Sequence, residues 1–116
     1  MIRGDYGASI LAQSAPANTN AADLYSPPAD RRAIVSQIII ANTSSGSLAA
    51  TVYAHASGNT KSNATAIVPA KSIPANSYEI VTFEDGLELN ESGTIGIKSG
   101  SGNDLTFTLL GRELDA

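Results

Sequence analysis

Residues 31–56, "RRAIVSQIIIANTSSGSLAATVYAHA", hold two apolar stretches around one polar turn, and their reading decides the fold. In the first stretch, Ala33 to Ala41, alternation puts Ile34, Ile38 and Ile40 on one face and Val35, Ile39 and Ala41 on the other. In the second, Leu48, Ala50, Val52 and Ala54 share one face, and Thr51, Tyr53 and His55 share the other. With "NTSSGS" at 42–47 as the turn, the pair is predicted to form an antiparallel hairpin. The second strand needs one apolar cover. The first needs two, because a sandwich strand ordinarily buries only one face.

Outward from this pair, strand-length segments bounded by Gly, Pro, Asn and Ser recur, and helical periodicity is almost absent. "DLYS" at 23–26 reads as a short strand stopped by Pro27 and Pro28, and 66–73 as an edge or corner strand broken by Pro69. Tyr78 to Phe83 is a strand, "EDG" a turn, and "TIGIKS" at 94–99 another strand. In the last strand Leu105, Phe107 and Leu109 alternate with Thr106 and Thr108, and the pair Leu109–Leu110 suggests a bulge. The expected fold is all-β: an antiparallel β-sandwich or jelly roll of about seven to nine short strands with an extended amino-terminal arm. Residues 1–22 are read as arm and connector, and 23–116 as the sandwich domain. No connection is long enough for a crossover helix, which excludes a parallel βαβ sheet.

The 116 residues suit one domain, and 42% hydrophobic content with no Trp and one Met leaves Ile, Leu, Val and Ala to fill its core. Charged residues are only 16%, so the surface is polar but weakly charged. A net charge of −4 without a basic cluster argues against nucleic-acid binding. No stretch is long and apolar enough to span a bilayer, and the amino terminus does not read as a signal peptide. The lack of cysteine removes disulfides and thiolate metal sites, and fits synthesis in a reducing cytoplasm.

Catalytic machinery is not predicted, nor is a cofactor or a metal. His55 is the single histidine, and no G-x-S-x-G elbow accompanies it. Glu84 with Asp85, and Glu88 with Glu91, lie in turn-like sequence where carboxylates are ordinarily solvated. "RGD" at Arg3–Asp5 and the N-x-S/T patterns at Asn42, Asn63 and Asn90 are short matches that such a composition produces freely. "SGSGND" at 99–104 lacks the spaced carboxylates of a calcium loop and reads as a hairpin turn. What remains is surface. The over-apolar strand and the arm, with anchors Ile2, Tyr6, Ile10 and Leu11, point to assembly. Intermolecular contacts are expected at Ile2, Arg3, Tyr6, Ile10, Leu11, Val35 and Ile39. Either the arm docks on a neighbour through strand pairing, or it completes its own sandwich as a first strand.

The residues also carry a family pattern. Tyr25, the Pro28–Ala29 turn, Arg32 opening an apolar strand and Asn42 ending it are followed by "IPAN" at 73–76 and a final Gly111-x-Glu113. Over roughly 24–114 this resembles small β-sandwich structural proteins of tailed bacteriophages. The chain departs from them at Asp30, where such proteins often carry Gly. The resemblance implies a virion component on the outer capsid surface: a decoration (cement) protein partnered with the major capsid protein, as a homo-oligomer and most simply a trimer. The alternatives are a neck, tail, baseplate or fibre-associated module, and a carbohydrate-binding sandwich. Few aromatic residues are available for a sugar platform, which disfavours the last.

Overall fold

A computed structural model describes residues 9–115. Eight strands run in chain order: β1 Ser9–Ser14, β2 Ala22–Tyr25, β3 Arg31–Asn42, β4 Leu48–His55, β5 Ala66–Ile73, β6 Ser77–Leu89, β7 Thr94–Ser99 and β8 Leu105–Asp115. They form two four-stranded sheets, ordered β1-β8-β3-β6 and β2-β7-β4-β5, with every pairing antiparallel. Each connection but β4–β5 passes from one sheet to the other, so the all-β sandwich expected from sequence is an eight-stranded jelly roll. The inner faces meet around Phe107, Ile38, Ile40, Ile73, Ile95, Ile97, Leu105 and Leu109, all fully buried.

The predicted hairpin of the two central strands does not form. β3 pairs with β6 and β8, whereas β4 pairs with β5 and β7 in the opposite sheet. Residues 43–47 therefore bridge the sandwich instead of closing a ladder. Both arrangements bury one face of each strand, so alternation alone does not separate them. Asn42 fixes the crossing. Its buried Nδ2 donates to the carbonyls of Gly46 (2.9 Å), Ile73 (2.9 Å) and Pro74 (3.2 Å), while its Oδ1 accepts from the Ser44 N–H (2.9 Å) and hydroxyl (2.8 Å).

The strand faces also need correction. The β3 register shifts between Val35 and Gln37 against both neighbours: against β8, Ser36 is an inserted residue whose Oγ donates to the Leu110 carbonyl at 3.0 Å, and against β6 the four residues 83–86 stand opposite it. The insertion resets the phase: Val35 joins Ile38 and Ile40 in the core, and Ile34 faces outward. The bulge expected at Leu109–Leu110 lies in the strands on either side of it, at Leu11 of β1 and Ser36 of β3, while β8 alternates regularly from Leu105 to Gly111. The "EDG" segment does not reverse the chain. Asp85 (φ 64°) and Gly86 (φ 80°) kink a continuous β6. Asp30 has φ 66°, the left-handed conformation that glycine adopts most easily, and its short polar side chain is among those that tolerate it.

Candidate interaction surface

The two outer faces of the sandwich differ. Over the β2-β7-β4-β5 sheet, the 56–65 loop folds back across the strands. Tyr53, in register with Gly96, is only 8% exposed although it points outward. The Lys61 stem lies where a Gly96 side chain would project, and its ammonium pairs with Asp23 of β2. This sheet is covered by its own chain.

No such cover lies over the β1-β8-β3-β6 sheet among the described residues. The register sets Ile10 beside Leu110, and Ile39 between Ile80 and Thr108, with Tyr78 beside Ala41. Ile10 is 61% exposed, Tyr78 62% and Ile80 43%, so three of the four large hydrophobic residues exposed among the described residues share this one face. They form a diagonal apolar stripe with half-buried Ile39 and Leu110. The rest of its centre is neutral: Gln13 donates to Thr108 Oγ1 (2.8 Å), and Gln37, Thr82 and Thr106 add uncharged groups. Charge gathers at one end, where Arg32 pairs with Glu88 (3.1 Å) and Arg31 with Asp115 (3.5 Å). An apolar stripe rimmed by polar residues is the physical signature of an interaction site.

The sequence-derived contacts divide on this geometry. Ile10 and Ile39 stand on the stripe. Val35 does not, because the Ser36 bulge turns it into the core. Leu11 packs partly against the core and approaches Gly111. Ile2, Arg3 and Tyr6 lie outside the described residues. Tyr78, Ile80 and Leu110 were not singled out from sequence. Their signal was the alternation Tyr78–Ile80–Thr82, which stayed ambiguous because Val81 and Phe83 make the opposite face equally apolar.

Two contacts between residues of the pattern quoted above tie the scaffold together. Asn42 clamps the Ile73–Pro74 turn. The Tyr25 hydroxyl donates to Glu113 Oε2 at 2.5 Å, tying β2 of one sheet to β8 of the other. Burial, then the hydrogen bond to Glu113 and its negative charge, hold the Tyr25 phenol well above the usual tyrosine range. Folded Tyr25 thus keeps its proton where an unfolded phenol, with a pKa of about 10, ionises. The folded state then binds more protons than the unfolded, so this contribution to stability falls as pH rises above about 10. Tyr25→Phe is expected to flatten that part of the alkaline decline in Tm, measured by circular dichroism; an unchanged slope would contradict it.

Elsewhere, His55 Nδ1 lies 3.1 Å from the Ala56 carbonyl, and its Nε2 is buried without a hydrogen-bond partner among the described residues. A hollow of about 250 Å³ nearby is lined by His55, Leu87, Leu89, Asn90 and Gly93 among others. Among the described residues no group of three metal-ligating side chains comes together.

No protein-family model and no curated protein matches the chain. Among solved structures, a chain of the T13 viral particle of IBDV, infectious bursal disease virus, matches with a TM-score of 0.55 at 12% identity. The match covers 91% of this chain and 30% of that one. The Drosophila NLP core, described for pentamer formation and histone binding, matches at a TM-score of 0.47 and 12% identity, over 94% of this chain and 99% of that one. A chain from the acid-stable capsid of Helicobacter pylori bacteriophage KHP30 matches at 0.47 and 9% identity, over 94% of each chain. At these identities the likeness is one of fold.

Proposed function

We propose that the chain is a structural component of a viral particle: a decoration protein on the outer capsid surface, bound to the major capsid protein and assembled as a symmetric trimer. The observation that carries this reading is the neutral stripe through Ile10, Leu110, Ile39, Ile80 and Tyr78, left uncovered among the described residues on one face of a jelly roll. The IBDV particle chain of the same fold supports it. In this role the chain adds buried contact area between shell subunits, with no chemical step required. Closed symmetry limits assembly to a defined number of copies.

The direct test is binding of purified protein to particles that lack it. Saturable binding to the outer surface is expected, and no binding would contradict the reading. Because Ser9–Ser14 already pairs with β8, the informative deletion is residues 1–8 and not the whole arm. Removing 1–8 is expected to weaken particle binding while leaving Tm nearly unchanged. An equal loss of both would place that segment within its own sandwich. Ile39→Asp, which sets a charge in the middle of the stripe, is expected to abolish oligomers in sedimentation experiments without unfolding the chain. A well-folded, unchanged oligomer would exclude the stripe as the interface.

A further inference from the structure

The stripe ends at an open sheet edge. β6 is the last strand of its sheet, and among the described residues nothing pairs with the outer side of Ser77–Thr82. Sheet edges attract further strands unless proline, lysine or a bulge protects them. The β5 edge of the other sheet has such protection, with Pro69, Lys71 and a register shift. The first half of β6, "SYEIVT", carries neither proline nor lysine and pairs with β3 in regular register from Ser77 to Thr82. Its one charge, Glu79, stands on the inner-face side in register with Ile40 and is in no ion pair among the described residues.

We propose that residues 1–8 of a second copy add to this β6 edge as a fifth strand. The proposal deepens the assembly reading above by naming the segment and the edge that join two copies. In an extended chain Ile2, Gly4 and Tyr6 share one face, and Arg3 and Asp5 share the other. One antiparallel register satisfies the edge: Arg3 opposite Glu79, Ile2 opposite Ile80, and Gly4 opposite Tyr78. Arg3 then supplies the charge that Glu79 lacks, and Ile2 covers Ile80. Gly4 lies beside the Tyr78 ring, the pairing of tyrosine with glycine that the chain already makes between Tyr53 and Gly96.

Direction and size favour a second copy as donor. Traced backwards from Ser9, which pairs with Gly111, β1 heads towards the Arg112–Asp115 end of the sheet. β6 forms the opposite edge, three strand positions away, and Tyr78 lies level with the far end of β1. The stripe and its neutral surroundings span four strands and three cross-strand rows, about 400 Å². That is about half of the roughly 800 Å² per partner found in stable interfaces, so contact through the stripe needs an added strand beside it. An added strand gains main-chain hydrogen bonds as well as side-chain contact. Each copy gives its segment at one end and receives another at the opposite edge, a head-to-tail arrangement that a closed ring accommodates.

The chain has no cysteine, so introduced thiols report the contact without background. Ile2→Cys and Ile80→Cys variants, one enlarged by a tag, are mixed without particles and mildly oxidised. A mixed disulfide between the two variants, absent when Thr106→Cys replaces Ile80→Cys, is the expected result. If the doubly substituted chain links only within itself, the segment folds back in cis and the proposal fails. Failure to link in either format also overturns it. Sedimentation of the 1–8 deletion, expected to be monomeric, gives an independent readout. Particle binding by a protein that does not cross-link would leave the decoration reading standing and remove only this one.

Discussion

Asn42→Asp is expected to lower the stability of the folded chain by about 3 kcal/mol, more than Asn42→Ala does, although aspartate is the closer mimic in shape. The amide nitrogen of Asn42 faces three carbonyl oxygens, those of Gly46, Ile73 and Pro74, and its oxygen accepts two bonds from Ser44. Alanine removes all five bonds and leaves carbonyls short of a donor. Aspartate keeps the Ser44 bonds but turns a buried oxygen, carrying negative charge at neutral pH, towards the three carbonyls. The variant carboxyl is therefore more easily protonated folded than unfolded, and the difference from wild type should narrow as pH falls towards about 4. Urea unfolding at pH 7 and pH 4 checks both the order of the variants and this narrowing. Equal losses for both variants at both pH values would contradict a carboxylate held against the three carbonyls.

A second large effect is expected at Gly111, where substitution by alanine should cost about 3 kcal/mol and lower Tm by on the order of 10 °C. A Cβ there would stand 2.3 Å from the Ile34 carbonyl oxygen and 3.0 Å from Val35 Cα, both backbone atoms of the adjacent central strand. Side chains can rotate away from such a contact, but these atoms cannot move without parting β8 from β3. The site also lies beside the β1 and β3 bulges, so the register of three strands depends on it. Gly46→Ala is the control, since nothing lies within 4 Å of a Cβ at that position. Similar Tm values for the two variants would refute the close-packed reading of Gly111.

The same stretches show what a single sequence reveals here and what it hides. Alternation in 31–56 marked both central strands and the inward face of β4, because side-chain direction is a local property. Pairing is not local. A five-residue connection serves a hairpin or a sheet crossing, and the Asn42 contacts that decide between them come from residues more than thirty positions away. The reversal of Val35 was nearer to view. Ser36 and Gln37 are adjacent polar residues inside a greasy run, and such a pair is how an inserted residue shows in sequence. The glycine expected in the turn at Asp30 pointed to a backbone geometry that the structure does contain. The apolar excess of β3 was real, but its outward share is Ile34 and Ile39. The stripe that Ile39 joins also draws on β1, β6 and β8.

The most direct measurement of the central claim is the copy number of this chain in purified particles, by quantitative mass spectrometry against the main shell protein. A decoration protein is expected at hundreds of copies, in a simple ratio to the shell. A few to a few dozen copies would contradict the capsid position and move the chain to the neck, tail or baseplate. Absence from the particle would contradict the structural role altogether.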